Sequence, residues 1–133
     1  LLVDTILPRT DSPSATEVKV HITLDSMLGQ VFDSSYQARF KTWWLALESH
    51  LNQQTFLQRS PTEQVGILQS LELNASEGAA DAKKALVEFK QQTIAYYLST
   101  EVVAKNFLNY LPVPGAYKPC ISLDDVNNKA WAL

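Results

Sequence analysis

The segment from Leu111 to Cys120 limits how this chain can fold more than any other, because it contains Pro112, Pro114 and Pro119. Each proline fixes φ, removes a backbone donor and pushes the preceding residue away from helical geometry. Gly115 allows a turn where a side chain would clash. The segment can therefore be neither a helix nor a central strand. Because it is also apolar, it needs a surface to lie against, which is either the chain's own helices or another protein.

The strongest helical pattern begins at Ser34, where Gln37 is placed three residues later to complete a capping box. Large apolar residues then recur at intervals of three and four, the spacing of one helix face. We therefore predict an amphipathic helix that forms the centre of the core. The residues on this face are Tyr36, Phe40, Trp43, Trp44, Leu47 and Leu51.

The first third of the chain predicts two further helices. Leu1 to Leu7 resembles the last turns of a helix that stops before Pro8, and the composition of Pro8 to Thr16 is typical of a loop. Residues 18–25 alternate as a strand would, but a helical spacing continues for longer, so we predict a helix. Its apolar positions are Val20, Leu24, Met27, Leu28 and Val31.

Helix-start signals recur in the second half. Ser60-Pro61-Thr62-Glu63 combines an N-cap serine, a proline at the first helical position and a glutamate at the third. The predicted buried face of this helix is Val65, Leu68 and Leu71. A long helix over residues 81–98 should bury Ala82, Leu86, Phe89, Thr93 and Tyr97. Ser99 or Thr100 should cap a shorter helix to Tyr110, and Ser122 with Asp125 a last one from Leu123 to Trp131.

These patterns predict an all-α fold: residues 1–133 form a single compact bundle of five to seven helices, with an irregular proline-rich C-terminal segment.

The net charge is −3 and the pI about 5.3, which argues against nucleic acid as a partner. No apolar run approaches the roughly 20 residues that span a bilayer. The chain begins without Met, as if upstream residues had been removed, and any export signal would lie there.

Catalytic and cofactor motifs are not found in the sequence. His21 and His50 have no second ligand at metal-binding spacing, and the isolated glycines form no phosphate-binding loop. We therefore expect no metal, nucleotide or flavin to bind this chain. Cys120, the single cysteine, could be a catalytic thiol, a buried structural thiol or a thiol that bonds a partner.

The aromatic residues around the proline segment also allow two interpretations. Tyr110, Tyr117 and Trp131 could pack the segment onto the helices. They could instead form an interface, where rigid Tyr and Trp side chains are enriched.

Several stretches resemble the gluconate 2-dehydrogenase subunit 3 family. They are Asp4 to Pro13 near the N-terminus, then Tyr97 to Glu101, Leu111 to Tyr117, Cys120 and Ala130 to Ala132. The cluster Pro112-Val113-Pro114-Gly115, followed by Tyr117 and Cys120, is the most specific part. The chain departs from the family's usual Gly-Ala at Ser14-Ala15.

The resemblance implies a non-catalytic small subunit that binds, stabilises and helps export a large FAD-dependent sugar or sugar-acid dehydrogenase. FAD would then belong to the partner, a cytochrome c would accept the electrons, and a twin-arginine signal would direct the complex to the periplasm. There it would associate with the inner membrane through its partner subunits.

Given this resemblance, we expect an interface for the flavoprotein, in which Cys120 forms an intersubunit disulfide. Leu111 to Cys120, with Trp131, should form part of this interface. Its individual contact residues are Tyr110, Pro112, Val113, Pro114, Tyr117, Cys120 and Trp131. Two alternatives remain: a free-standing helical interaction module without a flavoprotein, and an enzyme that uses Cys120 or a carboxylate.

Overall fold

The computed structural model describes residues 1–74, 76–113, 115–116 and 120–132. Six α-helices are present in these residues, together with a π-helix at Met27–Val31 and three short 3-10 helices. The α-helices are α1 (Leu2–Ile6), α2 (Val20–Ser26), α3 (Ser34–Gln53), α4 (Pro61–Asn74), α5 (Ala80–Leu98) and α6 (Glu101–Phe107). The only β-structure in the described part of the chain is an isolated bridge between Asn109 and Trp131. The all-α prediction is therefore confirmed.

Helix α5 lies at the centre of the bundle, because it packs against every other α-helix. Its first half meets α3 and α4 at Ala82, Ala85 and Leu86, and its second half meets α1, α2 and α6 around Tyr97. The small alanine side chains allow a neighbouring helix to approach closely. The prediction that α3 forms the centre is wrong: α3 lies along α5 with its other side in water, where Leu45 is exposed.

The aromatic face of α3 is nevertheless the one that packs inward. Phe40 and Leu47 are buried, and the other predicted members of the face are half-buried. The rings of Phe40 and Trp44 lie 5.9 Å apart, and that of Trp44 lies 5.1 Å from Phe89 of α5. Trp43 points to the edge of this face, where Arg39 and Lys84 lie over its ring.

The helix starts follow the local signals, with one shift. Ser60 and Glu63 form the predicted capping box of α4: the Ser60 amide donates to the Glu63 carboxylate at 2.9 Å. At α3 the N-cap is Asp33 instead of Ser34, and its carboxylate accepts from the Tyr36 amide at 2.9 Å. An ionised carboxylate one residue earlier is an equally good cap, which the choice of Ser34 overlooked.

The buried face of α4 differs from the prediction by one residue. Leu68 and Leu71 are buried as expected, whereas Val65 is exposed and Gln64 is buried. Gln64 precedes Leu68 by four residues and so shares its face of the helix. Its amide nitrogen donates to the carbonyls of Phe56 and Arg59, at 3.0 and 3.2 Å, which compensates the cost of burying it.

The C-terminal region contains less helix than predicted. Helix α6 follows Thr100 and ends at Phe107, because Leu108 is already extended. The predicted helix from Leu123 to Trp131 is wrong: only a 3-10 turn at Asp124–Val126 forms. Asn127 and Asn128 then adopt left-handed φ values of 52° and 56°, which asparagine tolerates and which end the helix.

Candidate partner-binding surface

The chain after the proline segment returns to the end of α6 and is held there by backbone hydrogen bonds. The Asn109 amide donates to the Ala130 carbonyl at 2.7 Å, and the Ala132 amide donates to the Asn109 carbonyl at 3.2 Å. Lys129 Nζ adds a bond of 3.0 Å to the Asn106 carbonyl. This parallel bridge places Trp131 beside Asn109, although 21 residues lie between these two in the sequence. Trp131 is therefore also near Tyr110.

Val126 anchors this returning segment, since its side chain is 6% exposed. The other large apolar side chains that the structure describes between positions 110 and 131 are exposed to water. Six of the fourteen exposed large hydrophobic residues in the described parts of the chain fall between positions 110 and 131. We call this set the C-terminal apolar surface: Tyr110, Leu111, Val113, Ile121, Leu123 and Trp131. Such a concentration of exposed apolar residues is typical of an interaction site.

The predicted interface residues can now be placed. Tyr110, Pro112, Val113, Cys120 and Trp131 are all exposed. Tyr110 and Trp131 are each about half exposed (47% and 49%), so they do not pack the segment tightly onto the helices. Pro114 and Tyr117 lie outside the described residues.

Two members of this surface were not predicted: Ile121 and Leu123. Ile121 directly follows the proline segment, and Leu123 was assigned to a helix that does not form. The sequence could have indicated their exposure. A segment without regular structure has no periodic apolar face, so its apolar residues are less readily buried against the helices.

Cys120 is exposed, so the interpretation as a buried structural thiol is wrong. An exposed thiol in an apolar surface is accessible to a thiol on another protein.

In the described residues, no three His, Cys, Asp or Glu side chains come together as a metal site would require. His21 and His50 line different cavities.

The larger of these cavities is an open groove of about 500 Å³ between α2, the π-helix, α3 and α5. Leu24, Leu28, Phe40, Trp44 and Phe89 provide most of its apolar lining. His21, Asp25 and Lys41 lie at its polar positions.

No helix in the described residues has the length and hydropathy needed to cross a membrane.

The N-terminal loop and the end of α5 also meet. The Tyr97 hydroxyl donates to the Pro13 carbonyl at 2.7 Å, and its oxygen lies 2.9 Å from Ser12 Oγ, whose hydroxyl can donate to it. The Thr16 amide and hydroxyl donate to the two carboxylate oxygens of Asp4, at 2.9 and 2.6 Å. Partial burial raises the pKa of Asp4, but these hydrogen bonds outweigh it and leave the pKa below its ordinary value. Two stretches that suggested a family from opposite ends of the sequence are thus in direct contact.

Taken together, the fold and this surface define a small all-α protein whose distinctive feature is an apolar C-terminal surface. The family model described as Gluconate 2-dehydrogenase subunit 3 matches residues 1–115 of the 133, and the chain belongs to that family. No curated protein and no solved structure matches the chain. Family membership indicates the role of an accessory subunit in a dehydrogenase complex. The match includes Tyr110 to Val113 but ends before Cys120 and Trp131.

Proposed function

We propose that this chain is a non-catalytic small subunit that binds, stabilises and helps export a large FAD-dependent sugar or sugar-acid dehydrogenase. The flavin and the substrate pocket belong to the large subunit, and a cytochrome c accepts the electrons. The complex works in the periplasm after twin-arginine export and contacts the inner membrane through its other subunits. The family described as a dehydrogenase subunit supports the first part of this proposal.

The observation that carries the proposal is the C-terminal apolar surface. Val113 and Leu123 are 81% and 70% exposed, which is costly for side chains of this type. Removing apolar surface from water contributes roughly 25 cal/mol per Å². A partner that covers these residues would therefore gain binding free energy from them, and the isolated chain would tend to self-associate.

The exposed Cys120 adds a covalent element to the proposal. In an oxidising compartment such as the periplasm, its thiol and a cysteine of the large subunit lose two protons and two electrons to the disulfide-forming machinery. The resulting intersubunit disulfide would hold the complex together. This part depends on the periplasmic location, because the reducing cytosol does not maintain such bonds.

The test is a mild affinity purification of the full-length protein from its own host, followed by intact mass and absorbance at flavin wavelengths. We expect a large protein with bound FAD to co-purify, and a panel of sugars and sugar acids with an artificial electron acceptor then identifies the substrate. A colourless protein that purifies without a partner would contradict the proposal and favour a free-standing interaction module. Dehydrogenase activity in the isolated chain would contradict its non-catalytic role.

A further inference from the structure

The groove between α2, the π-helix, α3 and α5 has the size and the lining of a small-molecule site. Its volume of about 500 Å³ falls within the roughly 300–1,000 Å³ that is typical of ligand pockets. Three of its lining residues, Phe40, Trp44 and Phe89, form a series of aromatic rings whose centroids lie 5.9 and 5.1 Å apart. Such rings offer faces and edges against which another flat ring can pack.

Two glutamines of the lining supply hydrogen-bond acceptors. The Gln37 amide nitrogen donates to the Phe32 carbonyl at 2.9 Å, and the Gln92 amide nitrogen donates to the Tyr36 hydroxyl at 2.7 Å. These bonds fix the two amide groups, and neither amide oxygen accepts a hydrogen bond from a described residue. Because both glutamines line the groove, these oxygens are available to a ligand that carries an O–H or N–H donor.

The charges of the groove favour an uncharged ligand. Asp25 of α2 and Lys41 of α3 both line it, and neither forms an ion pair with another described residue. Their opposite charges cancel, and His21 is counted as neutral at pH 7. An ionised ligand would lose hydration in this largely apolar groove without a net opposite charge to compensate for the loss.

The π-helix at Met27–Val31 is a second, independent indication of a site. Helices of this type are rare in proteins and frequently occur at functional sites. Leu28 and Gly29 of this helix line the groove. A Cβ atom added at Gly29 would meet no atom within 4 Å, so the space beside this residue is open.

We propose that this groove binds an uncharged aromatic molecule that carries an O–H or N–H group. The ring system of the ligand packs against Phe40, Trp44 and Phe89, and its donor bonds to the amide oxygen of Gln37 or Gln92. The inference goes beyond the proposed function and does not depend on it. The groove is formed by α2, the π-helix, α3 and α5, whereas the C-terminal apolar surface follows α6.

The test titrates the full-length protein with N-phenylnaphthylamine, an uncharged aromatic amine whose fluorescence rises in apolar surroundings. Gly29→Leu adds a side chain at the groove, where its Cβ atom meets no neighbour. Gly66→Leu is the matched control, because Gly66 lies in α4 outside this groove and its added Cβ also meets no atom. We expect Gly29→Leu to bind the probe about tenfold more weakly than the wild type and Gly66→Leu to bind it equally well.

A second probe keeps the test decisive if Gly29→Leu disturbs the π-helix. Anilinonaphthalene sulfonate has the same rings and N–H group but carries a negative charge, so the wild type should bind it more weakly than the uncharged amine. Asp25→Asn leaves the positive charge of Lys41 in the groove and should reduce this difference. Lys41→Gln leaves the negative charge and should increase it. Both residues are exposed, so neither substitution alters the core.

The possible failures can be told apart. Equal affinities of Gly29→Leu and Gly66→Leu, together with no effect of Asp25→Asn or Lys41→Gln, would overturn the groove as the site. Loss of probe binding in Leu123→Ser alone would assign the probe to the C-terminal apolar surface instead. Tighter binding of the sulfonate than of the amine by the wild type would overturn the uncharged class of ligand. These measurements involve no flavoprotein, so their failure would leave the proposed function intact.

Discussion

The hydroxyl of Tyr97, near the end of α5, donates a hydrogen bond of 2.7 Å to the carbonyl of Pro13, which lies 84 residues earlier in the chain. Tyr97 is 7% exposed, so this bond satisfies a polar group inside the protein. It joins the N-terminal loop to the helix at the centre of the bundle. The same helix end leads through Thr100 into α6 and from there to the C-terminal apolar surface.

Replacing Tyr97 with Phe should therefore destabilise the fold. The change removes the hydroxyl that donates to Pro13 and contacts Ser12 Oγ, without altering the ring, and leaves the Pro13 carbonyl without that donor. We expect the free energy of unfolding to fall by about 1–3 kcal/mol in urea denaturation. Tyr110→Phe is the matched control, because that side chain is half exposed. An equal loss in both variants would show that the bond to Pro13 has no special role.

Acidification should weaken the contact between α1 and the loop that follows it. Partial burial acts to raise the pKa of Asp4, but the stronger combined effect of the Thr16 hydrogen bonds lowers it below the ordinary value of 3.8. A depressed pKa contributes stability that is present above 3.8 and is lost as the pH falls through the folded-state pKa. The wild type should therefore lose more stability than Asp4→Asn between pH 6 and about pH 2, the acid range in which carboxylates titrate.

The control for this pH dependence is Asp11→Asn. Asp11 is exposed in the same loop, and its substitution should leave the acid-dependent loss of stability as in the wild type. Parallel pH curves for wild type and Asp4→Asn would contradict the assigned role of the Thr16 hydrogen bonds.

Gln64 should be important for stability despite being polar. Its side chain is 6% exposed, and its amide nitrogen donates to the Phe56 and Arg59 carbonyls. Gln64→Leu keeps the approximate size but leaves those carbonyls without their donor, so we expect a loss of about 1–3 kcal/mol in the free energy of unfolding. Gln69→Leu, at an exposed position of the same helix, should change it little. If Gln64→Leu left the free energy of unfolding unchanged, water would have to replace the amide as the donor to the two carbonyls.

The C-terminal apolar surface can be tested by a matched pair of substitutions. Leu123→Ser should leave the melting temperature unchanged and weaken binding to the flavoprotein, because Leu123 is 70% exposed and lies in that surface. Leu73→Ser is the control: Leu73 is 76% exposed but belongs to α4. Equal effects of both substitutions on affinity would show that the partner does not select this surface.

The predicted intersubunit disulfide has a direct readout on non-reducing denaturing gels. The wild-type complex should migrate as one cross-linked species, whereas Cys120→Ser should release the small subunit. Treating the wild type with a reducing agent should reproduce the pattern of the variant. If the wild-type subunits already separate without reductant, Cys120 is not bonded to the partner.

Most helices could be predicted because their signals involve residues a few positions apart. The Ser60–Glu63 capping box and the face of α5 that contains Leu86 and Tyr97 are of this kind, and both are confirmed. The predicted helix at Trp131 failed because Asn127 and Asn128 prefer the left-handed conformation that ends it. That signal was present in the sequence and was outweighed by the apparent cap at Ser122.

The candidate site was predictable only in part. The prolines indicated an irregular apolar segment, and five residues of the predicted interface are exposed: Tyr110, Pro112, Val113, Cys120 and Trp131. The interface itself stays a prediction. Composition alone could not show that Trp131 pairs with Asn109, since such pairing depends on where the chain returns after a segment without regular structure.

Local sterics and capping decide the helical class, most helix starts and the irregular character of the segment around Pro112, so these features can be predicted from the amino-acid sequence. Three features are visible only in the folded chain: α5 is the central helix, Gln64 is buried in place of Val65, and Trp131 lies beside Asn109. Each of these depends on contacts between residues distant in the chain, which form only when several helices pack together and their hydrogen bonds can be satisfied at once.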